Sequence, residues 1–371
     1  MKIKITKKQE QYAMIIATSL ITVNQFLSVD WFSIPQKFLG YTGVSILFIL
    51  FCRTLLDNNI KAIFIKITLL SIILLSMILS GRQFLLVSFL FMMLISSDNL
   101  ENILKTVLYT SFACIVVTII NYFIMNGFDF SNYELRTVLG GEVRVLKESL
   151  GYNHANKLFL NCFIPFSIYL YLNFDSITFK KHLVFFICFT ILFLISFSRT
   201  GYISYIFAHL GYFVIKNKKS SNVMKLIILI TIMSSFILPL LYSTVDSSLI
   251  LNLNRALSDR IRYSSEGLKF AKLTPFGTNI NNLISPQGYK ITVDNSFVLT
   301  FISYGYVVFI GFVIFQGFII FKSRNKVMIY FIMVFSVYYF AESYYFSAIY
   351  NFTLFLIAVE TKEIYYERKN I

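Results

Sequence analysis

The sequence predicts an all-α polytopic membrane protein with about 12 (10–12) transmembrane helices, arranged as a single integral membrane domain over residues 1–371. The chain is 57% hydrophobic and only 14% charged, whereas soluble domains carry about 25% charged residues. Apolar runs of about 17–25 residues, the length that crosses a bilayer, recur along almost the whole chain. Aromatic residues make up 18% of the chain, which suits lipid contact and interfacial belts.

Taken in order, the apolar runs define the candidate spans. The run at 83–96 is short, and it can pair with 62–80 as a re-entrant hairpin instead of forming a second full span. The segment before the third-last span breaks the pattern, because it is long, polar and basic. The candidate spans are 11–28, 33–52, 62–80, 83–96, 104–126, 155–173, 183–198, 200–215, 223–243, 295–321, 327–341 and 344–360.

The basic residues predict the sidedness of the chain. The net charge of +15 is explained in a polytopic protein by retention of Lys and Arg on the cytoplasmic side, and nucleic-acid binding is not expected. Basic residues precede the first span, follow the last and fall at every second connection between them. We therefore expect a multi-pass protein of the cell membrane with both termini cytoplasmic.

Two connections on the opposite side are long, a smaller outer loop at 127–154 and a large outer loop at 244–294. Both carry arginines where the topological bias disfavours them. The large loop is the main polar segment outside the expected bilayer, so we expect the chemistry of the protein to depend on it. The arginines of the two loops are Arg136, Arg144, Arg255, Arg260 and Arg262.

Arg199, in the stretch SFSRTG, lies at the outer end of an apolar run. An arginine at the centre of a transmembrane helix costs about 2.5–3.5 kcal/mol on insertion scales. Its small neighbours Ser198, Thr200 and Gly201 would let helices approach closely around it. Two interpretations stay open: a guanidinium that reaches outward to the headgroups, or a buried cation that binds a phosphate.

In the large loop, Arg255, Asp259 and Arg262 share a helical face, which is typical of a solvated ion-pair surface. Arg260 instead shares its face with leucine and isoleucine, so it points towards the membrane or the helix bundle. Guanidinium groups bind phosphate oxygens in a bidentate manner and stay charged. We therefore expect Arg199 and Arg260 to recognise a pyrophosphate at the outer face, with Arg255 as a lesser candidate.

Several outer residues can orient or deprotonate a hydroxyl group. Asp294 and Asn295 stand where the large loop re-enters the membrane, which is also the place of an N-cap or first-turn residue. His154, with Asn156 beside it in GYNHANKLF, lies at the outer start of another helix and is the rival base. We expect Asn156 and Asn295 to help bind the pyrophosphate or the sugar. Glu342, in FAESYYF, is the third candidate.

The residue types predict neither a metal nor a cofactor. No Asp-x-Asp pair occurs in the sequence, and all cysteines lie within apolar runs, where a disulfide or a metal site is not expected. Positive charge for a leaving phosphate would then come from arginine. The cysteines are Cys52, Cys114, Cys162 and Cys188.

Several short motifs, in combination, resemble the O-antigen polymerase and ligase-like membrane family, specifically the Wzy-type polymerases of capsular and exopolysaccharide pathways. Their order, their spacing and the large late outer loop match as well. The resemblance covers most of the chain. The matching segments are GYNHANKL at 151–158, SFSRTG at 196–201, LNLNRALSDRI at 251–261, Phe276-Gly277, and VDNSFVLTFISYGYV at 293–307.

The resemblance implies a GT-C-like, metal-independent glycosyltransferase whose active site faces outside. It would move a growing glycan from undecaprenyl pyrophosphate to the next lipid-linked oligosaccharide repeat unit, among membrane lipids and beside a flippase and a chain-length regulator. Arg199 and Arg260 match the arginines of the family's outer face. Ligases of this family carry a histidine near the end of the large loop, where this sequence has Asp294, so a polymerase is favoured over a ligase.

Other functions stay open. A ligase would use the same donor chemistry to attach finished glycan to another acceptor. A flippase or other transporter of lipid-linked sugars would need polar residues along a path at mid-membrane, whereas the informative charges of this chain gather at the outer face. A receptor or structural membrane protein would need no catalytic residues.

Overall fold

The computed structural model describes residues 6–56, 59–127, 133–138, 141–216, 221–245, 247–281 and 283–369. These residues form 15 α-helices, one short 3-10 helix and one antiparallel two-stranded hairpin. The elements are α1 Lys7–Phe26, a 3-10 helix Asp30–Phe32, α2 Ser33–Leu56, α3 Ile60–Ser80, α4 Phe84–Leu94, α5 Ser97–Asn126, β1 Tyr133–Val138, β2 Gly141–Leu146, α6 Ala155–Leu172, α7 Phe179–Ser196, α8 Arg199–Lys216, α9 Ser221–Thr244, α10 Ser248–Ala256, α11 Arg260–Phe270, α12 Ser296–Ser303, α13 Tyr306–Lys322, α14 Lys326–Tyr339 and α15 Thr353–Lys369.

Within these ranges, 5 helical segments are long and apolar enough to cross a membrane. Three shorter apolar helices, α4, α13 and α14, accompany them. At about 1.5 Å per residue, the 11 residues of α4 reach roughly half way across a hydrocarbon core about 30 Å thick. The fold therefore indicates a helical protein of the polytopic membrane class. The five long segments are Asp30–Leu56, Ile60–Ser80, Ser97–Asn126, Phe179–Ser196 and Ser221–Thr244.

The chain divides into two compact units. The first unit comprises Met1–Leu50 with Ser97–Phe213, and the second unit comprises Phe51–Ser96 with Val214–Ile371. In the first unit, α1 packs on α5, α5 on α6 and α6 on α7. The buried hydroxyl of Thr18 donates to the carbonyl oxygen of Met14 one turn earlier, at 2.7 Å. Such bonds satisfy hydroxyl groups inside an apolar bundle without a partner on another helix.

The smaller outer loop contains a β-hairpin, which the all-α prediction does not include. β1 pairs with β2, with Tyr133 opposite Leu146 and Val138 opposite Gly141. The sequence of β2, GEVRVL, alternates polar and β-branched residues, which is the two-residue period of a strand. That alternation is the signal from which the hairpin could be predicted.

In the second unit, α9 packs on α14, and α11 packs against α9 and α12. The large outer loop is therefore ordered along much of its length. Its apolar residues form a hydrophobic cluster with one side of α12, and burial of apolar surface of this kind is the main force that seats a loop on a helix. The cluster contains Ala271, Ile280, Ile291, Val293, Val298, Leu299 and Ile302.

The expected span 295–321 is divided in the structure into α12 and α13. The break lies at Gly305, whose φ is +89°. A stretch of the large loop crosses the break and bonds to it on both sides. The Val307 N–H donates to the Pro275 carbonyl oxygen at 3.1 Å, and the Thr278 N–H donates to the Ile302 carbonyl oxygen at 3.1 Å. The loop thus supplies partners for backbone groups that a continuous helix would satisfy internally.

The crossing is possible because both segments, the large loop and the α12–α13 break, carry glycine where they meet. A methyl group on Gly277 would lie 1.8 Å from the Ser303 carbonyl oxygen, and one on Gly305 would lie 2.2 Å from the Pro275 carbonyl oxygen. Neither distance is compatible with a side chain. Each glycine also has a positive φ, which other residues adopt rarely.

The expected span 344–360 begins later than predicted, because an irregular stretch separates α14 from α15. This stretch, which we call the 340–352 segment, is largely buried. Buried irregular backbone needs hydrogen-bond partners. The Asn351 side chain provides one of them, since its Nδ2 donates to the Tyr345 carbonyl oxygen at 2.8 Å. The segment is thereby held as a defined element that carries Glu342.

Candidate active site

The second unit places Arg260 in a buried position at the start of α11. Ser258 and Asp259 before it have left-handed backbone, with φ of 56° and 64°. This turn separates α10 from α11, so the continuous helical face predicted for Arg255, Asp259 and Arg262 is wrong. Arg260 is 6% exposed, whereas Arg255 remains exposed. The burial of Arg260 agrees with one of its two predicted orientations, towards the helix bundle, although the continuous helix from which that prediction was made is interrupted. Arg255 does not join it.

Asn254 closes this turn. Its Nδ2 donates to Asp259 Oδ1 at 2.8 Å, and its Oδ1 accepts from the Arg262 N–H at 3.0 Å. The Arg262 side chain then lies near Glu266, with Nε 3.8 Å from Oε1. This is a partly exposed i,i+4 pair, which stabilises the helix by about 0.2–0.5 kcal/mol. Arg262 therefore belongs to the surface of the loop, as its sequence position suggested.

Two carboxylates hold the buried Arg260. Its Nη2 donates to Glu342 Oε1 at 3.0 Å, and its Nε lies 4.0 Å from Asp294 Oδ2. Burial by itself would lower the pKa of Arg260, but the negative charges of Glu342 and Asp294 outweigh burial and raise that pKa. The guanidinium therefore stays charged in a position that would be costly for an unpaired ion.

The remaining terminal nitrogen of Arg260 has a different environment. Nη1 is buried and has no hydrogen-bond partner among the residues that the structure describes. A buried donor left without a partner costs about 1–3 kcal/mol, and more when it is charged. Because the carboxylates engage Nη2 and approach Nε, Nη1 is the donor that an anionic ligand would meet.

A single hydroxyl group ties the two carboxylate-bearing segments together. Ser296, the first residue of α12, donates its Oγ–H to the Glu342 carbonyl oxygen and accepts from the Tyr345 N–H at 3.2 Å. Ser296 thereby fixes the start of α12 against the 340–352 segment. Asp294 and Glu342 reach the same arginine because this contact positions both of them.

The N-cap of α12 is Asn295. Its Oδ1 accepts from the N–H groups of Phe297 at 3.0 Å and Val298 at 3.3 Å. The capping role considered for Asp294 therefore belongs to its neighbour, because only the amide of Asn295 reaches these donors. Asp294 lies one residue outside the helix, and its 40% exposed carboxylate faces Arg260. Asn295 acts on the fold of the site, and its role in binding a substrate stays a prediction.

Arg82 is a further candidate site residue, one that the sequence-based prediction omitted. It follows Gly81, which ends α3 with φ +67°. The Arg82 Nε is buried and has no partner within the described part of the chain. Burial lowers the pKa of Arg82, while the phenols of Tyr304 and Tyr344 act in the opposite direction. The available signal was an arginine placed directly after one of the most apolar runs of the sequence.

Tyr344 connects the surroundings of the two arginines. Burial raises the pKa of Tyr344 to about 12, the charges of Glu342 and Asp294 act in the same direction, and Arg82 opposes them. One phenol therefore lies within electrostatic reach of three charged groups, and it stays protonated at neutral pH. We call Arg82, Arg260, Asp294, Glu342 and Tyr344 the arginine–carboxylate cluster.

Three predicted site residues belong to the first unit. His154 is the exposed N-cap of α6, and its Nδ1 accepts from the Asn156 N–H at 3.1 Å. Arg199 is the half-buried first residue of α8. His154 thus has a capping role in this structure. Asn156 contributes its backbone to that role.

The chemistry available to the arginine–carboxylate cluster is that of anion binding beside a proton acceptor. Guanidinium donors can bind phosphate oxygens, and a partly exposed carboxylate can take a proton from a hydroxyl group. Among the described residues, no group of three or more His, Cys, Asp or Glu side chains is arranged to hold a metal ion. Comparison with protein-family models, characterised proteins and solved structures gives no match for this chain. The functional inference therefore depends on the site.

Proposed function

We propose that the protein is a polysaccharide polymerase that extends lipid-linked oligosaccharide repeat units at the outer face of the cell membrane. It transfers the growing glycan from undecaprenyl pyrophosphate to the next repeat unit. The observation that carries this proposal is the state of Arg260, which is buried and charged and is held by two carboxylates. One of its donors has no partner within the described part of the chain. These are the properties needed to bind a pyrophosphate as it leaves.

In this proposal the donor pyrophosphate binds at Nη1 of Arg260. Arg82 supplies a second guanidinium within the same unit, with its Nε also buried and unpaired among the described residues. As the glycosidic bond to the lipid breaks, negative charge increases on the pyrophosphate. Fixed guanidinium groups in a site of low dielectric stabilise that charge without a reorganisation cost.

The two carboxylates have different roles in the proposed reaction. Glu342 is 11% exposed and engaged by Arg260 at 3.0 Å, so it positions the arginine. Asp294 is 40% exposed and stands at 4.0 Å, which leaves its oxygens accessible to a ligand. We assign Asp294 as the group that orients the acceptor hydroxyl and takes its proton during attack on the anomeric carbon. His154 remains the rival base. Arg199 remains a proposed pyrophosphate ligand alongside Arg260.

The surroundings of the site are part of the same proposal. We propose that the five long helices and the shorter apolar ones complete a GT-C-like arrangement of about 12 spans, with both termini cytoplasmic. Membrane lipids, a flippase and a chain-length regulator are the expected partners. Asp294, in the position where ligases of the resembling family carry histidine, favours a polymerase over a ligase.

Deletion of the gene followed by sizing of the surface glycan tests the proposal. A polymerase leaves single repeat units on the lipid or on the cell surface, a ligase leaves full-length polymer unattached, and a flippase leaves no product outside. Complementation with Arg260→Ala is expected to reproduce the deletion, whereas Arg255→Ala should restore the polymer. Full-length polymer in the Arg260→Ala strain would contradict the assignment of the pyrophosphate site.

A further inference from the structure

Two lysines of the second unit lie near each other, at a distance from the arginine–carboxylate cluster. Lys66 is on α3 and Lys362 is on α15, and α4 packs against both of these helices. Since α3 and α4 are joined by a short turn at Gly81, Lys66 and the last turn of α4 both lie roughly 15–20 Å along their helices from that turn, at about 1.5 Å per residue. The basic connection before α3 predicts that this end faces the cytoplasm.

The ammonium groups of both lysines are held in place by bonds to other helices. Lys362 Nζ donates to the Met93 carbonyl oxygen at 3.0 Å and to the Ile95 carbonyl oxygen, at the C-terminal end of α4. The last carbonyl groups of a helix have no partners within the helix and attract cations. Lys66 Nζ donates to Thr54 Oγ1 on α2 at 3.1 Å. Neither lysine therefore simply extends into the headgroup layer, as an isolated lysine near a helix end does.

The two positive charges oppose each other. Both side chains are half-buried, and burial, together with the charge of Lys66, lowers the pKa of Lys362 to about 8. Within the described part of the chain, the hydrogen bonds of both ammonium groups go to uncharged oxygens. Each ammonium group has three N–H donors, so the pair can bind a further acceptor. A negatively charged acceptor would relieve the repulsion between the two lysines.

The surface of α3 beside Lys66 indicates where such an anion would come from. Phe64, Ile65 and Ile67 are exposed, and α3 is one of the helices long and apolar enough to cross a membrane. Exposed apolar side chains next to an ammonium group can contact the acyl chains of a lipid whose headgroup the ammonium binds. Basic pockets between transmembrane helices on the cytoplasmic side bind anionic headgroups in this way.

We propose that Lys66 and Lys362 together bind the phosphate group of an anionic phospholipid of the inner leaflet. The bound lipid would connect α15 to the α3–α4 pair and compensate the charge of both lysines. This inference goes beyond the proposed function, because it concerns a different group of residues and requires no transfer reaction.

The test measures lipid binding to the purified full-length protein in detergent by native mass spectrometry. The probes are phosphatidylglycerol and phosphatidylcholine with identical acyl chains. We expect one phosphatidylglycerol to bind the wild type about 10-fold more tightly than phosphatidylcholine, and Lys66→Gln and Lys362→Gln each to remove that preference, because a charge-assisted bond is lost. Lys66→Arg should keep it. Lys326→Gln is the matched control, since Lys326 is an exposed lysine of the same unit at the start of α14.

The outcomes distinguish this inference from its alternatives and from the proposed function. Arg260→Ala should bind phosphatidylglycerol as the wild type does, even where it makes no polymer. Equal affinity of the wild type for the two lipids overturns the site, and so does an unchanged preference in both glutamine variants. Loss of binding in Lys66→Arg equal to that in Lys66→Gln overturns the role of charge. Displacement of phosphatidylglycerol by inorganic phosphate at equal concentration overturns the lipid as the source and assigns the site to free phosphate.

Discussion

At the scale of single residues, the site depends on how the positive charge of the buried Arg260 is compensated. Arg260 is stable in its position because Glu342 bonds to it and Asp294 approaches it. Nη1 is buried and has no partner among the described residues, so in the proposed function it is the donor assigned to the ligand. The same residue therefore serves the fold through its carboxylates and the proposed reaction through Nη1. Substitutions that separate these roles are the most informative.

Replacement of Arg260 is expected to stop polymer synthesis while leaving the protein in the membrane with a lowered melting temperature, because Glu342 loses the partner that compensates its buried charge. Loss of a charge-assisted contact to the leaving group costs about 2.7–4 kcal/mol of transition-state stabilisation, or roughly 10²–10³ in rate. The measurement is the initial rate on purified lipid-linked repeat units for Arg260→Ala and Arg260→Lys. Arg255→Ala should stay within about threefold of the wild type, because Arg255 is exposed and outside the cluster.

Substitution of Glu342 should mainly reduce stability, whereas substitution of Asp294 should mainly reduce the reaction rate. Glu342→Gln removes one negative partner of a buried arginine and is expected to lower the free energy of unfolding by about 3 kcal/mol. Asp294→Asn should leave the melting temperature nearly unchanged, since Asp294 is partly exposed, but reduce the rate at least 100-fold. Thermal unfolding and rate–pH profiles on lipid-linked substrate, at matched expression, distinguish the two.

His154→Ala is the comparison for the assignment of the base. A normal rate for Asp294→Asn together with a lost rate for His154→Ala would transfer the role to His154. Normal rates for both would make Glu342 the next candidate. Because His154 caps α6, His154→Asn is the better-matched variant, since asparagine is a good N-cap and cannot act as a base at this position.

The sequence predicts the residues of the site better than their partners. Arg260 was predicted to point towards the membrane or the helix bundle because it shares a helical face with apolar residues. The structure buries Arg260 but interrupts that face at Ser258 and Asp259. Arg82 was missed because a single arginine after an apolar run is also what an ordinary helix end looks like. Asn295 and not Asp294 caps α12 because the helix begins at Ser296. A sequence pattern does not locate a helix start to within one residue.

At the scale of elements, the important feature is the crossing between the large loop and the break at α12–α13. The loop and the break meet at Gly277 and Gly305, and backbone hydrogen bonds join the two segments. The crossing seats the loop that carries Arg260 close to the helix that Asp294 precedes. The geometry of the site therefore depends on two residues that carry no functional group.

Gly277→Ala and Gly305→Ala are each expected to destabilise the protein by more than about 4 kcal/mol, the range reserved for severe steric clashes. A Cβ at either position would meet a backbone oxygen within 2.2 Å, and backbone at a crossing cannot move away cheaply. Gly311→Ala is the matched control, because nothing lies within 4 Å of a Cβ there. It should be neutral or stabilising by about 0.5–1 kcal/mol. Melting temperature and membrane yield give the comparison, and a mild effect at Gly277 would contradict the crossing.

Helices were predicted well wherever an apolar run ends at polar residues, as for α8, expected at 200–215 and found at Arg199–Lys216. The prediction failed at Gly305 and in the 340–352 segment. Apolar residues continue through both stretches, so hydropathy placed the spans across Gly305 and across most of the 340–352 segment. Their irregular backbone is stabilised by bonds to distant parts of the chain, and hydropathy does not report such bonds.

At the scale of the whole molecule, the charge pattern predicts which side of the membrane each connection faces. In a background without native cysteines, Gln287→Cys in the large loop should react with a membrane-impermeant maleimide on intact cells. Arg324→Cys, between α13 and α14, should react only after permeabilisation, because basic connections stay in the cytoplasm. Both positions are exposed. The reverse labelling pattern would place the arginine–carboxylate cluster on the inner side and contradict the proposed function.

The proposed chemistry also predicts independence from divalent metal. Positive charge for the leaving pyrophosphate comes from arginine, so purified protein should extend lipid-linked repeat units at an unchanged rate in excess EDTA. A rate that falls in EDTA and returns with Mg²⁺ or Mn²⁺ would contradict the assignment of Arg260 and Arg82 as the source of that charge. Inactive Arg260→Ala protein in the same buffer is the control for background hydrolysis.

The short length of α12 has a consequence for how the protein is made. Its 8 residues rise only about 12 Å, too little to enter a bilayer as a span. During biosynthesis the insertion machinery would therefore receive α12 and α13 together, as one uninterrupted apolar stretch from Ser296 to Lys322. The break at Gly305 would then open only when residues 274–278 dock against it. The break would then be a property of the assembled protein, and a nascent chain halted before docking should expose residues 296–322 to chaperones as one continuous helix.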